Sequence, residues 1–457
     1  MTASPSSPAR GAIGWVTLAL LANTVSSSLL QAFVIPVLPL LRELYDTDQA
    51  TITLILTGQL LVGAVAAPVI GRLGDLYGKA PLMVVCASVT VATSVVSAIW
   101  PTLTVLIVTR FVQGIATGSF ALAYGIVRDV YPPARRANII GTLTGTIAIG
   151  QAGGLIAAGP VVEVFGVSGL FAVPAVISSI ALALLAASMR LGFVRRAGTI
   201  DWAGAILLSV WLVALIAGLT VDPWPLRVVL FVVAALFLVL WYRFERGHPN
   251  PLNDVRVLSS PILLRANAVT LVFGFVLQGQ LLIYPMFAQA DPPDGLGADV
   301  SQSGAWLLPQ MAMLFIAGLA SGPVQNRLGA RATLVISAVL VGIGIGVIPF
   351  ALGHSWLLYA GSALIGIGYG IGFPVFTTIV VTNVPKDQTS AATGLNGNLR
   401  TIGGTVGAQS VALLLVAAHG TGTGYTFPAV ALVIGCVAVV AVSFSFPRRV
   451  ETEEVEA

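Results

Sequence analysis

GRLGDLYGKA at residues 71–80 and GPVQNRLGAR at 322–331 are the two stretches on which the fold turns. Laid over one another, Gly71 and Gly78 fall on Gly322 and Gly329, and Asp75 falls on Asn326. A second echo follows each of them: GIATG at 114–118 and GIGYG at 366–370. One shared loop can arise by chance; two matches in the same order point to two related halves.

The residues around these stretches say what the halves are made of. Of 457 residues, 57% are hydrophobic and only 9% charged, with a mean hydropathy of +0.96. A water-facing globular surface needs about a quarter of its residues charged, so lipid must be the solvent for most of this one. No charge falls between Arg10 and Arg42, Asp48 and Arg72, Lys79 and Arg110, or Asp201 and Asp222. Each gap holds the ~20 apolar residues that a helix needs to cross a bilayer. None shows the polar–apolar alternation of a barrel strand, so the chain is all-α.

Fourteen spans are expected, at 12–40, 50–70, 82–100, 103–127, 138–162, 168–189, 202–220, 225–243, 262–289, 303–322, 332–352, 355–382, 394–418 and 424–446. The first, from Ala12, is too long for a signal peptide and has no cleavage-type site before Pro36, Pro39 and the second span. On this map Arg42 and Arg227 fall at one end of the bundle and Arg110 within a span, while the rest of the 22 Lys and Arg fall at the other end. Basic residues mark the cytoplasmic face, so both termini are expected there, with Asp291, Asp294 and Asp299 outside. The net charge of +4 thus orients the chain in its membrane and needs no nucleic acid. Cys86 and Cys436 lie in distant spans and suggest neither a disulfide framework nor a metal site.

Spans 7 and 8 are left over between the two six-span halves. The expected organisation is a bundle over 1–196, a central helix pair over 197–250, a second bundle over 251–447 and an acidic tail over 448–457. Two related helical halves are the architecture of an alternating-access transporter, whose site lies at the midplane between them.

The stretch GRLGDLYGKAP (71–81) resembles the loop signature of the major facilitator superfamily, at its usual place between spans 2 and 3. DWAGAILL (201–208) and RFERGHPNPL (243–252) are similar to segments of its fourteen-helix drug:proton antiporter branch. The resemblance covers nearly the whole chain, and it implies export of small amphipathic compounds, drugs or secondary metabolites, by proton antiport across a bacterial cytoplasmic membrane. Leu76 stands where the family usually has Arg.

In that loop Gly71 and Gly78 allow close approach and a tight turn. Asp75 can accept backbone N–H groups at a helix N-terminus, and with Lys79 and Arg128 it is expected to form a conformational latch between the halves. Arg110 is the charge placed well inside a span, where burial is costly and usually functional. By resemblance it matches the family's coupling arginine, with Gln113 and Gln31 expected near it. Span 1 offers no acid as its partner; Asn23, Ser27 and Gln31 form a polar stripe instead. Gly150, Gly154 and Gly159 in span 5 are expected to pack helices closely, with Leu155 where the antiporter signature has Pro. Asn23, Gln31, Gln280, Tyr284, Trp306 and Gln310 are candidates for a substrate site of amides and aromatics, and interhelical hydrogen bonds are the competing reading. The sequence contains no phosphate-binding loop for ATP, and its three histidines fall in loops or at span ends. The expectation is therefore a monomeric transporter, not an enzyme, with no metal or cofactor beyond the proton gradient.

Overall fold

The computed structural model describes residues 10–34, 37–47, 49–188, 201–220, 224–248, 257, 259–290, 292, 295–298, 305–386, 388–417 and 424–446. Arg195, Asp294, Gln302, His419 and the tail 448–457 lie outside them. All regular structure among these residues is helical.

The first half comprises α1 (Arg10–Phe33), a short α2 (Leu38–Leu44), α3 (Gln49–Tyr77), α4 (Lys79–Ile99), α5 (Leu103–Ala116), α6 (Gly118–Val130) and α7 (Pro133–Ser188). The central pair is α8 (Trp202–Thr220) and α9 (Trp224–Gly247). The second half comprises α10 (Pro261–Gln289), α11 (Leu308–Gly346), α12 (Trp356–Asn383), α13 (Thr389–Ala417) and α14 (Thr426–Ser443). Nine stretches among the described residues are long and apolar enough to cross a membrane, and one of these is α5 and α6 together. Two of the long helices are each two spans joined at a glycine. α7 breaks at Gly166 (φ 64°) and α11 at Gly329 (φ 80°), in backbone that side-chain-bearing residues rarely adopt. Divided there, the arrangement is compatible with fourteen spans.

Two boundaries differ from the sequence reading. α1 stops at Phe33, short of the expected residue 40, and Pro39 opens the separate short helix α2, a first-turn position where its missing N–H costs nothing. The stretch 71–80 is not an open loop: α3 runs on to Tyr77, and Gly78 (φ 108°) is the single residue between it and α4. The repeat partners Gly78 and Gly329 thus turn the chain in the same way in both halves.

The buried apolar residues gather mainly within each half. Leu20, Met83, Leu122 and Ile126 belong to one cluster, which Val381 of the second half joins; in the other, Tyr369 stacks on Phe373, while Phe273 meets both edge-on and Phe376 meets Phe273 and Phe373 edge-on. Outside these cores Leu226, Val229, Val232, Leu236 and Val239 of α9 are exposed, as a lipid-facing helix requires.

The halves meet along two seams near the end of the bundle that carries Gly78, hereafter the basic end. At one seam, α3 and α6 pack on α13: Gly71 and Gly394 lie so close to the opposite backbone that a Cβ would come within 2.5 Å of the Ser390 carbonyl oxygen or 2.8 Å of Ala67. At the other, α7 packs on α11. A Cβ on Gly141 would stand 2.5 Å from the Gly318 oxygen, and one on Gly322 would meet the Asn138 backbone nitrogen at 2.6 Å. The central pair packs through Leu208, Trp211 and Trp241 against Val69 of α3 and Leu395, Leu399 and Ile402 of α13.

Candidate functional site

At the first seam the expected latch residues come together. Asp75, 4% exposed, sends Oδ2 to the backbone N–H groups of Ser390 and Ala391, 2.9 and 3.3 Å away. Those two groups belong to the first turn of α13, which has no partners for them within the helix. The carboxylate of one half thus caps a helix of the other, where the helix dipole also favours negative charge. Lys79 Nζ stands 3.2 Å from Asp75 Oδ1 and 2.6 Å from Asp129 Oδ2. Arg128 donates through Nη1 to the Val384 carbonyl and, at 2.7 Å, to the Thr389 hydroxyl. Gly71 is at van der Waals limits against the same turn of α13. Asn326, the sequence counterpart of Asp75 in the second half, is neutral and exposed.

The second constellation lies inside the first half. Arg110 on α5 is 1% exposed. Its Nη1 donates to the Leu30 carbonyl (3.3 Å), Gln59 Oε1 (3.1 Å) and Gln113 Oε1 (3.2 Å), and its guanidinium carbon lies 5.4 Å from the centre of the Phe171 ring. Nε and Nη2 have no hydrogen-bond partner. Gln113 donates in turn to Ser94. Beside this cluster is a narrow cavity lined by Ser27, Gln31, Gln59, Thr90, Gln113 and Thr117, with room for about one water. Gln113 is therefore where the sequence placed it; Gln31 lines the cavity but makes no bond to Arg110. Gln59, from α3, was missed, because a single amide in an apolar helix carries no sign of which helix it faces. Asn23 is buried on α1.

The second-half candidates are closed into packing. Gln280 and Gln310 exchange reciprocal amide hydrogen bonds of 3.0 and 3.1 Å, tying α10 to α11. Tyr284 donates to the Gly344 carbonyl at 2.8 Å, and Trp306 packs edge-on against Tyr359. All four are buried. The polar groups of Gln280, Gln310 and Tyr284 are spent on interhelical ties, as the competing reading has it for these three in this structure. In α7, Gly150 and Gly154 do receive α1: a Cβ would meet the Val25 oxygen at 2.6 Å or the Leu29 oxygen at 2.7 Å. Gly159 is exposed with nothing near it, and makes no helix contact.

The segments bracketing the central pair also meet. Asp201 Oδ1 accepts the Gly204 N–H at 2.8 Å, capping α8. Glu245, 2% exposed, accepts from Trp241 Nε1 at 3.1 Å. A Cβ on Gly204 would lie 2.4 Å from Asp201 Oδ2 and 2.8 Å from Glu245 Oε1, so the two carboxylates share the space this glycine leaves. His248 Nδ1 stands 3.8 Å from Asp201.

Comparison with known proteins places this geometry in context. Residues 20–200 and 266–457 match the family model described as Major Facilitator Superfamily, and the unmatched stretch between them holds α8 and α9. The Multidrug resistance protein B homolog of Mycobacterium tuberculosis is 24% identical over 388 residues, which is 81% of this chain and 70% of that protein. The Tetracenomycin C resistance and export protein of Streptomyces glaucescens is 24% identical over 429 residues, 90% of this chain and 78% of its own. Among solved structures, the human organic anion transporter MFSD10 (TETRAN) superposes with a TM-score of 0.69 over 93% of this chain and 99% of its own, at 15% identity. At that identity it shows a shared fold and nothing finer.

Proposed function

The chain belongs to the Major Facilitator Superfamily, and from that premise we propose that this transporter exports small amphipathic compounds from a bacterial cytoplasm by proton antiport, as a monomer with both termini cytoplasmic. The observation that carries the alternating-access part is the capping of α13 by Asp75 across the seam. A contact of this kind holds two bodies together in one state and must break in the other. On this reading the basic end is cytoplasmic, and the seam contacts close that side. The export reading is supported by the relatives, two of which are named for multidrug resistance and for export of tetracenomycin C.

Arg110 cannot be the proton carrier, since a guanidinium stays charged throughout the physiological range. Its role in coupling is to hold a neighbouring group or water deprotonated until substrate arrives. The energy source is the proton gradient, with no other cofactor. Everted membrane vesicles containing the chain, with a panel of amphipathic dyes supplied in the medium, test the reading: export requires dye uptake that collapses when the pH gradient is dissipated. Uptake of a nutrient or lipid by right-side-out vesicles, with no dye movement, would overturn it.

A further inference from the structure

Arg110 is a buried cation with no ion pair among the described residues: the three partners of its Nη1 are neutral carbonyl oxygens, and Nε and Nη2 have none. Removing one partner of a buried pair is costly because it leaves an uncompensated charge. Here no carboxylate among the described residues reaches the guanidinium to supply the counter-charge.

The two glutamines that face it turn this charge toward the cavity. Arg110 can only donate, so the side-chain oxygens of Gln59 and Gln113 must point at it and their amide nitrogens away. Gln113 passes its nitrogen to Ser94. Gln59 is 7% exposed, lines the cavity, and makes no hydrogen bond through its nitrogen. That leaves an N–H donor, backed by a fixed positive charge, open on a space of about one water. Ser27, Gln31 and Thr117 on the other walls are partly exposed and carry further polar groups.

We infer that the cavity bounded by Gln31, Gln59 and Gln113 takes a single anionic group, a halide ion or one carboxylate of a larger molecule, as the counter-charge of Arg110. The size of the space admits one small group and excludes a whole amphipath. The site stands whether or not the exported compounds are themselves acidic.

The test uses the full chain in detergent at constant ionic strength, with sodium bromide exchanged for sodium hexafluorophosphate, whose anion is too bulky for the cavity and carries no carboxylate. Bromide is expected to raise the thermal unfolding midpoint saturably, and hexafluorophosphate to leave it unchanged. The variant Gln59→Glu keeps the side chain's length and supplies an internal carboxylate to Arg110, so it folds while filling the anion's place. Two negative charges about 4 Å apart repel strongly in this setting, and bromide affinity should drop by about a hundredfold or more. Competition by 2-naphthoate but not 2-naphthamide would identify the anion as the carboxylate of a larger molecule; bromide binding without such competition would identify it as a free halide. Equal responses to bromide and hexafluorophosphate, or a wild-type bromide response in the Glu variant, would overturn the assignment.

Discussion

Asp75 and Arg110 both rest on contacts that a smaller or differently shaped side chain cannot reproduce. With Asp75→Ala, the first-turn N–H groups of α13 lose their acceptor, at about 1–3 kcal/mol for a buried polar group left unpaired. A loss of ~2 kcal/mol shifts the ratio of open to closed states about thirtyfold. Transport into vesicles should fall severely while ligand affinity in detergent persists, because the seam is remote from Arg110 and its cavity; a wild-type transport rate would dismiss the latch. Arg110→Lys keeps the charge and loses the planar fork that reaches Leu30, Gln59 and Gln113 together. This variant should insert and fold yet lose pH-driven uptake in proteoliposomes, and full uptake would show the guanidinium to be dispensable. At this scale the sequence was half legible. Arg110 stood out as a charge in an apolar run, and Asp75 through its glycine frame. Their partners did not, since Ser390 and Ala391 lie more than 300 residues from Asp75 and Gln59 belongs to another helix. Such pairings are made by tertiary packing, which spacing along one helix cannot encode.

Helices follow the length of the apolar runs closely, and their ends follow the prolines and glycines. The turns at Gly78 and Gly329 were readable because only a glycine tolerates their positive φ, and the repeat printed it twice. The small residues of α7 were readable as a pattern but not individually. Gly150 and Gly154 face α1, whereas Gly159 points away from any neighbour. That difference gives a paired prediction. Gly154→Leu forces a side chain onto the Leu29 carbonyl and Ala32, where backbone cannot yield, and should destabilise the protein by about 1–3 kcal/mol. Gly159→Leu should leave the unfolding midpoint in detergent unchanged. An equal effect of the two would mean that α7 does not pack on α1 in this register. The amides of α10 and α11 mark the opposite limit. Gln280 and Gln310 suit a binding site as well as a tie, and the choice depends on which way two helices rotate about their axes.

The two halves touch along two seams, so the molecule can rock only if both seams part at the basic end. A disulfide across one of them should therefore stop transport. A Cβ on Gly125 would stand 2.1 Å from the Ser390 hydroxyl oxygen, and the other close neighbour is the flexible end of Lys79. The double variant Gly125→Cys with Ser390→Cys, in a background lacking Cys86 and Cys436, has the Cβ proximity a disulfide needs. Oxidation should abolish vesicle transport and reduction restore it; undiminished transport by the cross-linked protein would exclude rocking about this seam. The two-half plan was legible from the repeat because duplication leaves glycines in register. The side on which the central pair docks was not, since α8 and α9 are apolar nearly all round. Their docking has a further effect. Val69, Leu395 and Leu399 at the α3–α13 seam are roofed by α8 and α9, while among the described residues no inserted helix packs on α7 or α11. A compound dissolved in the surrounding leaflet thus meets the inserted pair on one flank of the bundle and the closely packed α7–α11 seam itself on the other.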